Sequence, residues 1–128
     1  MQFKKILIVD DSKLMHKMLT VMLQGYELIH AIDGLDALQK LGTDPGIDLV
    51  LLDINMPRMS GLELLGKVKD DPLLSTIPVV IVSTEGTEED TLRGLERGAS
   101  AYISKPFDNR VLLEVISRLE SEEALQPA

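Results

Sequence analysis

The sequence predicts one α/β domain, a doubly wound, five-stranded parallel sheet with five helices. Three observations lead there. Apolar runs of about four residues recur at Ile6–Val9, Leu49–Leu52 and Val79–Val82, and between them lie longer stretches with apolar residues at helical spacing. The run Leu49–Leu52 is apolar at consecutive positions, the mark of a strand buried on both faces in the middle of a parallel sheet. Alternation of five such strands with five helices demands right-handed crossovers, which place helices on both faces once the strand order reverses.

In chain order, Ile6–Val9 is the first strand and ends at Asp10 and Asp11. Ser12 offers an N-cap to a helix with Leu14, Met15, Met18, Leu19 and Met22 on one face. Gly25 stops that helix, Glu27 to Ala31 makes a weaker strand, and Asp33-Gly34 turns into a short helix carrying Leu35, Leu38 and Leu41. Residues 42–46 are loop, and the strand Leu49–Leu52 delivers Asp53 to its C-terminal end. A loop containing Pro57 leads to a helix with Leu62, Leu65 and Val68, which Pro72 breaks. Pro78 introduces Val79–Val82, which stops at Ser83, and Thr87-Glu88-Glu89-Asp90 forms a capping box for a helix with Leu92 and Leu95. Gly98 closes that helix, Ala101–Ile103 is the fifth strand, and after Lys105-Pro106-Phe107 the side chain of Asp108 caps a helix with Leu112, Val115, Ile116 and Leu119 inward. From Glu120 the chain is acidic and is expected to fray, so residues 1–120 form the domain and 121–128 a tail.

Composition narrows the function. A chain of 128 residues can bury a core without covalent staples. Without cysteine there is no disulfide, thiolate metal site or thiol nucleophile, and a reducing compartment is compatible. The opening M-Q-F-K-K lacks the apolar region of a secretory signal, and no apolar run approaches membrane-spanning length, so a soluble protein is expected. A net charge of −8 argues against generic nucleic-acid binding, which depends on neutralising phosphates, and favours cations and basic partners.

Asp10, Asp11, Asp53, Ser83 and Lys105 all stand where a strand gives way to a loop. In a parallel sheet those points share one edge, beyond which open α/β sheets bind ligands. Three carboxylates in one cleft repel each other unless a cation is supplied. Oxygen donors without His or Cys suit a hard ion, most simply Mg2+, which keeps several waters and leaves room for a phosphoryl oxygen. Lys105 adds a positive point charge, and the Ser83 hydroxyl can donate to an oxygen of an anion. Such parts suit phosphoryl transfer to a carboxylate, where catalysis is mostly positioning and charge neutralisation. Singly, each residue has an ordinary role open to it: Asp10 and Asp11 at a helix N-terminus, Lys105 in solvent, Ser83 as a cap. Their joint occurrence on four strand ends of one domain makes coincidence a poor account. His16 and His30 fall at no strand end and read as structural or solvated, and the six methionines as core filling.

The combination V-D-D-S after the first strand, L-L-D-I-N-M-P at the third, V-S-T-E after the fourth and Y-I-S-K-P-F at the fifth resembles the receiver domain of bacterial response regulators, over roughly Lys4 to Leu119. The resemblance implies a flavodoxin-like fold with strand order 2-1-3-4-5, Asp53 as phosphoacceptor, and Asp10 and Asp11 as the acidic pair holding Mg2+ together with Asp53 and the backbone carbonyl of Asn55. It also implies Ser83 and Lys105 as switch hydroxyl and phosphate-binding lysine, Tyr102 as switch aromatic, and Pro106 as the proline after a cis peptide. The type most resembled is the single-domain chemotaxis receiver: a cytoplasmic phosphoacceptor that assists its own phosphorylation and dephosphorylation without a separate substrate, as a monomer or weak dimer. A histidine kinase is then the donor, and a downstream protein binds the fourth helix, fifth strand and fifth helix. Neither direct nucleic-acid binding nor membrane insertion is expected. Two positions depart from the family pattern. Thr84 stands where Ala or Gly is usual, a larger residue beside the phosphoryl pocket, and Ser60 stands where many members have Asp.

Two other readings stay open at this point. The chain is compatible with the receiver of a longer regulator, cut at its linker. A small phosphatase of the haloacid dehalogenase type also uses an aspartyl phosphate and Mg2+, but that family wants Asp-x-Asp after the first strand and usually a cap domain, and neither is here.

Overall fold

Side chains along a strand project alternately to its two faces, so one sheet feeds two cores. In β1 (Lys5–Val9), Leu7 and Val9 serve one core and Ile6 and Ile8 the other. β3 (Leu49–Leu52) and β4 (Val79–Ser83) divide the same way, with Val50, Leu52, Val79 and Ile81 on the first side and Leu49, Leu51, Val80 and Val82 on the second. β2 (Glu27–Ala31) and β5 (Ala101–Ser104) form the edges of a fully parallel sheet ordered β2-β1-β3-β4-β5. The computed structural model describes residues 2–54, 56, 59–84 and 88–125, without the side chains of Glu88, Asp90 and residues 123–125. The Pro57 loop and the Thr87 end of the capping box lie outside the described residues.

Helices α2 (Gly34–Thr43), α3 (Gly61–Asp70) and α4 (Glu88–Glu96) lie over the first face, and α1 (Lys13–Met22) and α5 (Asn109–Leu125) over the second. Among the described residues four of them start on a side-chain cap: Ser12 accepts from Met15 N–H at 3.2 Å, Asp33 from Asp36 N–H at 2.9 Å, Ser60 from Glu63 N–H at 3.2 Å and Asp108 from Arg110 N–H at 2.7 Å. Serine is among the residues that cap helices best, and Ser60 fills that role for α3. Among the described residues no helix is long and apolar enough to cross a membrane.

The structure corrects which face several helices bury. In α1 the inward residues are Met15, Leu19 and Met22 with Leu23 just beyond, whereas Leu14 is 67% exposed and Met18 is also exposed. Five apolar residues cover more of the helix than the sheet and α5 can bury, so packing chooses the rotation. In α2, Ala37, Leu38 and Leu41 face the core and Leu35 faces out. In α4, Leu92 is 52% exposed and Leu95 is exposed too, while Gly94 faces the sheet. A Cβ on Gly94 would sit 2.6 Å from Ile81 Cδ1, so a larger residue there would require Ile81 to shift, and glycine lets α4 lie close over Ile81 and Tyr102 without that. The last helix does not fray at Glu120: α5 continues to Leu125, and Glu120 Oε2 accepts from Phe3 N–H at 2.6 Å.

Candidate metal and phosphoryl site

Val9 of β1 lies beside Leu52 of β3, so the residues that follow them leave the sheet together. Asp53 N–H donates to the Val9 carbonyl at 2.9 Å, and Asp10 N–H to the Ala31 carbonyl at 3.1 Å. These bonds carry the ladder one residue past the strands and fix both backbones at the same edge. The two side chains are buried, Asp10 at 3% and Asp53 at 7% exposure, and Asp11 is exposed at the rim. One carboxylate oxygen from each of the three lies within 4.8 Å of the other two.

Lys105 reaches this cluster from the end of β5. Its N–H donates to the Ser83 carbonyl at 2.8 Å, and its Nζ lies 2.8 Å from Asp10 Oδ2 and 4.0 Å from Asp53 Oδ1. The peptide bond from Lys105 to Pro106 is cis. Leu52 is paired with Ile81, so Ser83 stands one residue further out than Asp53 on the neighbouring strand, fully buried. Tyr102, half-buried on β5, packs beside Gly94 of α4. Thr84 is exposed, and Asn55 lies outside the described residues. The sheet thus gathers Asp10, Asp11, Asp53, Ser83 and Lys105 at one edge and sets Tyr102 lower, toward α4.

The cluster is a set of hard oxygen donors with excess negative charge, met among the described residues by the Lys105 ammonium. That chemistry fits a small divalent cation such as Mg2+ and not a soft ion.

Residues 6–117 match the response regulator receiver domain family. The chain belongs to that family. This receiver is 37% identical over 113 residues to the chemotaxis protein CheY1 of Helicobacter pylori, which covers 86% of the chain and 91% of that protein. It is 36% identical over 126 residues to the probable transcriptional regulator ycf29 of Pyropia yezoensis, covering 97% of the chain but only 56% of the regulator, so the chain spans little more than half of that relative. It also superposes on a chain of the CheX–CheY–BeF3–Mg complex of Borrelia burgdorferi with a TM-score of 0.85 and 32% identity, over 91% of this chain and 89% of the other. As a receiver it is a signalling protein with phosphoacceptor function, and it has the aspartate cluster at which receivers bind Mg2+.

Two residues that sequence reasoning passed over touch the site. His16 Nε2 lies 2.7 Å from the Asp10 carbonyl oxygen, and its Nδ1 lies 2.7 Å from Nδ1 of the exposed His30, so of the two roles read for these histidines, structural or solvated, the structural one brings His16 to the site. Burial, then the neighbouring His16 and Lys40, push the proton affinity of His30 below that of an ordinary histidine. Gly61 is the second. Its N–H donates to the Ile54 carbonyl at 2.8 Å, and a Cβ there would strike the backbone of Asp53. No periodicity marks the histidines; for Gly61 the signal available was a glycine in the first turn of a helix, where a better helix former is usual.

Proposed function

We propose that this receiver takes a phosphoryl group from a histidine kinase onto Asp53 in a Mg2+-dependent reaction, and that the phosphorylated form binds a downstream protein through α4, β5 and α5. The observation that carries this function is the convergence of Asp10, Asp11 and Asp53 within 4.8 Å, with Lys105 reaching both Asp10 and Asp53. Asp10, Asp11 and Asp53 would hold the ion, with the Asn55 backbone carbonyl as a further donor. When bound, Mg2+ neutralises charge on the phosphoryl oxygens. Asp53 supplies the nucleophile: a carboxylate oxygen forms the P–O bond while the P–N bond to the donor imidazole breaks, its electron pair staying on nitrogen. Lys105 moves its charge-assisted hydrogen bond from Asp10 toward the new phosphoryl oxygens. The same groups serve when water removes the phosphoryl group, so the domain assists both directions and acts on no separate substrate. The BeF3 and Mg2+ in the Borrelia burgdorferi complex support this assignment. In this account residues 1–120 make the domain, 121–128 are a tail whose first part continues α5 to Leu125, and the protein works in the cytoplasm as a monomer or weak dimer. The half-length match to ycf29 favours a second setting for the same chemistry, as the receiver of a longer regulator.

The test is intact-mass measurement with acetyl phosphate, with and without Mg2+. One added phosphoryl group that requires the ion is expected; no increase in mass overturns the proposal. Asp11→Ala probes the ion separately. Loss of a direct ligand should weaken Mg2+ by at least the roughly 10- to 100-fold that loss of an outer partner costs. An unchanged Mg2+ titration in that variant removes Asp11 from the metal site.

Output is assigned to Ser83 and Tyr102. A phosphoryl group on Asp53 adds charge and strong acceptor oxygens, which draw the Ser83 hydroxyl toward them. Tyr102, half-buried beside Gly94, turns into the space behind Ser83 and so alters the α4–β5–α5 surface, a shift between pre-existing arrangements. Ser83→Ala should leave Asp53 accepting phosphate while partner affinity loses much of its response, out of a typical coupling of roughly 5- to 150-fold. Thr84 carries a nearby hydroxyl, so the double variant Ser83→Ala, Thr84→Ala is the decisive one. Normal phosphorylation with the full wild-type gain in partner affinity would rule the hydroxyl switch out.

A further inference from the structure

All four polar groups of Asp10 are held. Its N–H donates to the Ala31 carbonyl at 3.1 Å, its Oδ1 accepts from Ser12 N–H at 2.9 Å, its Oδ2 accepts from Lys105 Nζ at 2.8 Å, and its carbonyl oxygen meets His16 Nε2 at 2.7 Å. A carbonyl oxygen can only accept, so His16 Nε2 must carry the hydrogen. The other ring nitrogen, Nδ1, lies 2.7 Å from Nδ1 of His30, and one of those two must donate to the other. With His16 neutral, the hydrogen on Nε2 leaves Nδ1 a bare acceptor, and His30 must then be the Nδ1–H tautomer. With His16 cationic, His30 Nδ1 accepts instead. Either way His16 keeps the Nε2–H that the Asp10 carbonyl needs. The lowered proton affinity of His30, from burial first and then from His16 and Lys40, agrees with one hydrogen shared between the facing nitrogens.

From this geometry we propose that His16 is a positioning residue for the Mg2+-binding carboxylates, with its tautomer set by His30. The proposal rests on Asp10 and Asp11 as metal ligands. The carbonyl that His16 grips belongs to the peptide joining Asp10 to Asp11, and the plane of that peptide directs the chain into Asp11. Asp10 is anchored at every other polar atom, so the His16 bond completes the hold on the backbone that leads into Asp11. Without the His16 bond the peptide can turn, and the exposed Asp11 carboxylate swings away from the cluster while Asp10 stays in place. Neither His16 nor His30 touches the phosphoryl group in this account; both act through the backbone.

Three measurements test it. In metal-free protein near pH 8, above the ordinary histidine pKa of about 6.5, two-bond nitrogen–proton spectra should show His16 protonated at Nε2 and His30 at Nδ1. A His16 ring bare at Nε2 overturns the proposal before any metal is added. Mg2+ titration should then show His16→Leu weakened roughly 3- to 10-fold, the scale of one net hydrogen bond, with His16→Gln within about twofold of wild type because its amide nitrogen can take the place of Nε2. His30→Phe should fall between them, since it frees the His16 tautomer without removing the donor. Wild-type affinity in His16→Leu, or equal losses in His16→Leu and His16→Gln at matched thermal midpoints, overturns the donor role. If wild type itself binds no Mg2+, the metal assignment fails instead, which separates the two conclusions.

Discussion

Asp53→Asn is expected to end phosphorylation while leaving the fold intact. The substitution is isosteric and sits where the side chain is almost wholly enclosed, so packing changes little. An amide oxygen is a far poorer nucleophile than a carboxylate, and labelling by acetyl phosphate should fall by at least about 10³-fold, roughly 4 kcal/mol of barrier. Stability should move the other way. Removing one of three clustered negative charges relieves repulsion, so the metal-free thermal midpoint should equal or exceed that of wild type. The Mg2+-induced rise in that midpoint should shrink together with the lost ligand. Labelling at the wild-type rate would place the acceptor elsewhere, and a lower metal-free midpoint would mean that the favourable contacts of the Asp53 carboxylate, the Lys105 one at 4.0 Å among them, outweigh the repulsion.

Gly61→Ala is expected to damage stability and chemistry together. A Cβ at Gly61 would stand 2.7 Å from Ile54 Cα and closer still to the Asp53 carbonyl oxygen, and these are backbone atoms that no rotamer change can move aside. Either α3 lifts or the segment Asp53–Ile54 shifts. Overpacking of this kind costs roughly 1 to 3 kcal/mol, and a displacement near 1 Å at a reacting group can cost on the order of 10²-fold in rate. Gly66 on the same helix is the control, because a Cβ there meets nothing within 4 Å. Gly66→Ala should stabilise by about 0.5 to 1 kcal/mol through helix propensity and leave the phosphorylation rate alone. Denaturation curves and labelling rates for the two variants settle the matter; indistinguishable behaviour would remove Gly61 from the support of Asp53.

Much of this protein was legible in its residues, and the rest was decided only by packing. The apolar runs at Ile6, Leu49 and Val79 determine strands buried on both faces, and parallel strands put their following residues on one edge whatever the details. That is why the places of Asp10, Asp53, Ser83 and Lys105 in the sequence already bring them to one edge. Caps were legible for a similar reason: the Ser12 and Asp108 bonds span three and two residues, so local sequence contains both partners. Rotation of α1 and α4 was not legible, because an apolar residue records that it can be buried, not that a neighbour offers room. Leu14 and Leu92 lost that competition to Leu19 and Gly94, the first to a better-placed leucine and the second to a residue with no side chain at all. The His16–His30 contact joins α1 to β2 across 14 positions, and the Gly61 contact depends on where α3 comes to rest against the end of β3. Neither has a period or a motif, since both follow from the distance between elements, and that distance is fixed only when the whole sheet and its helices close together.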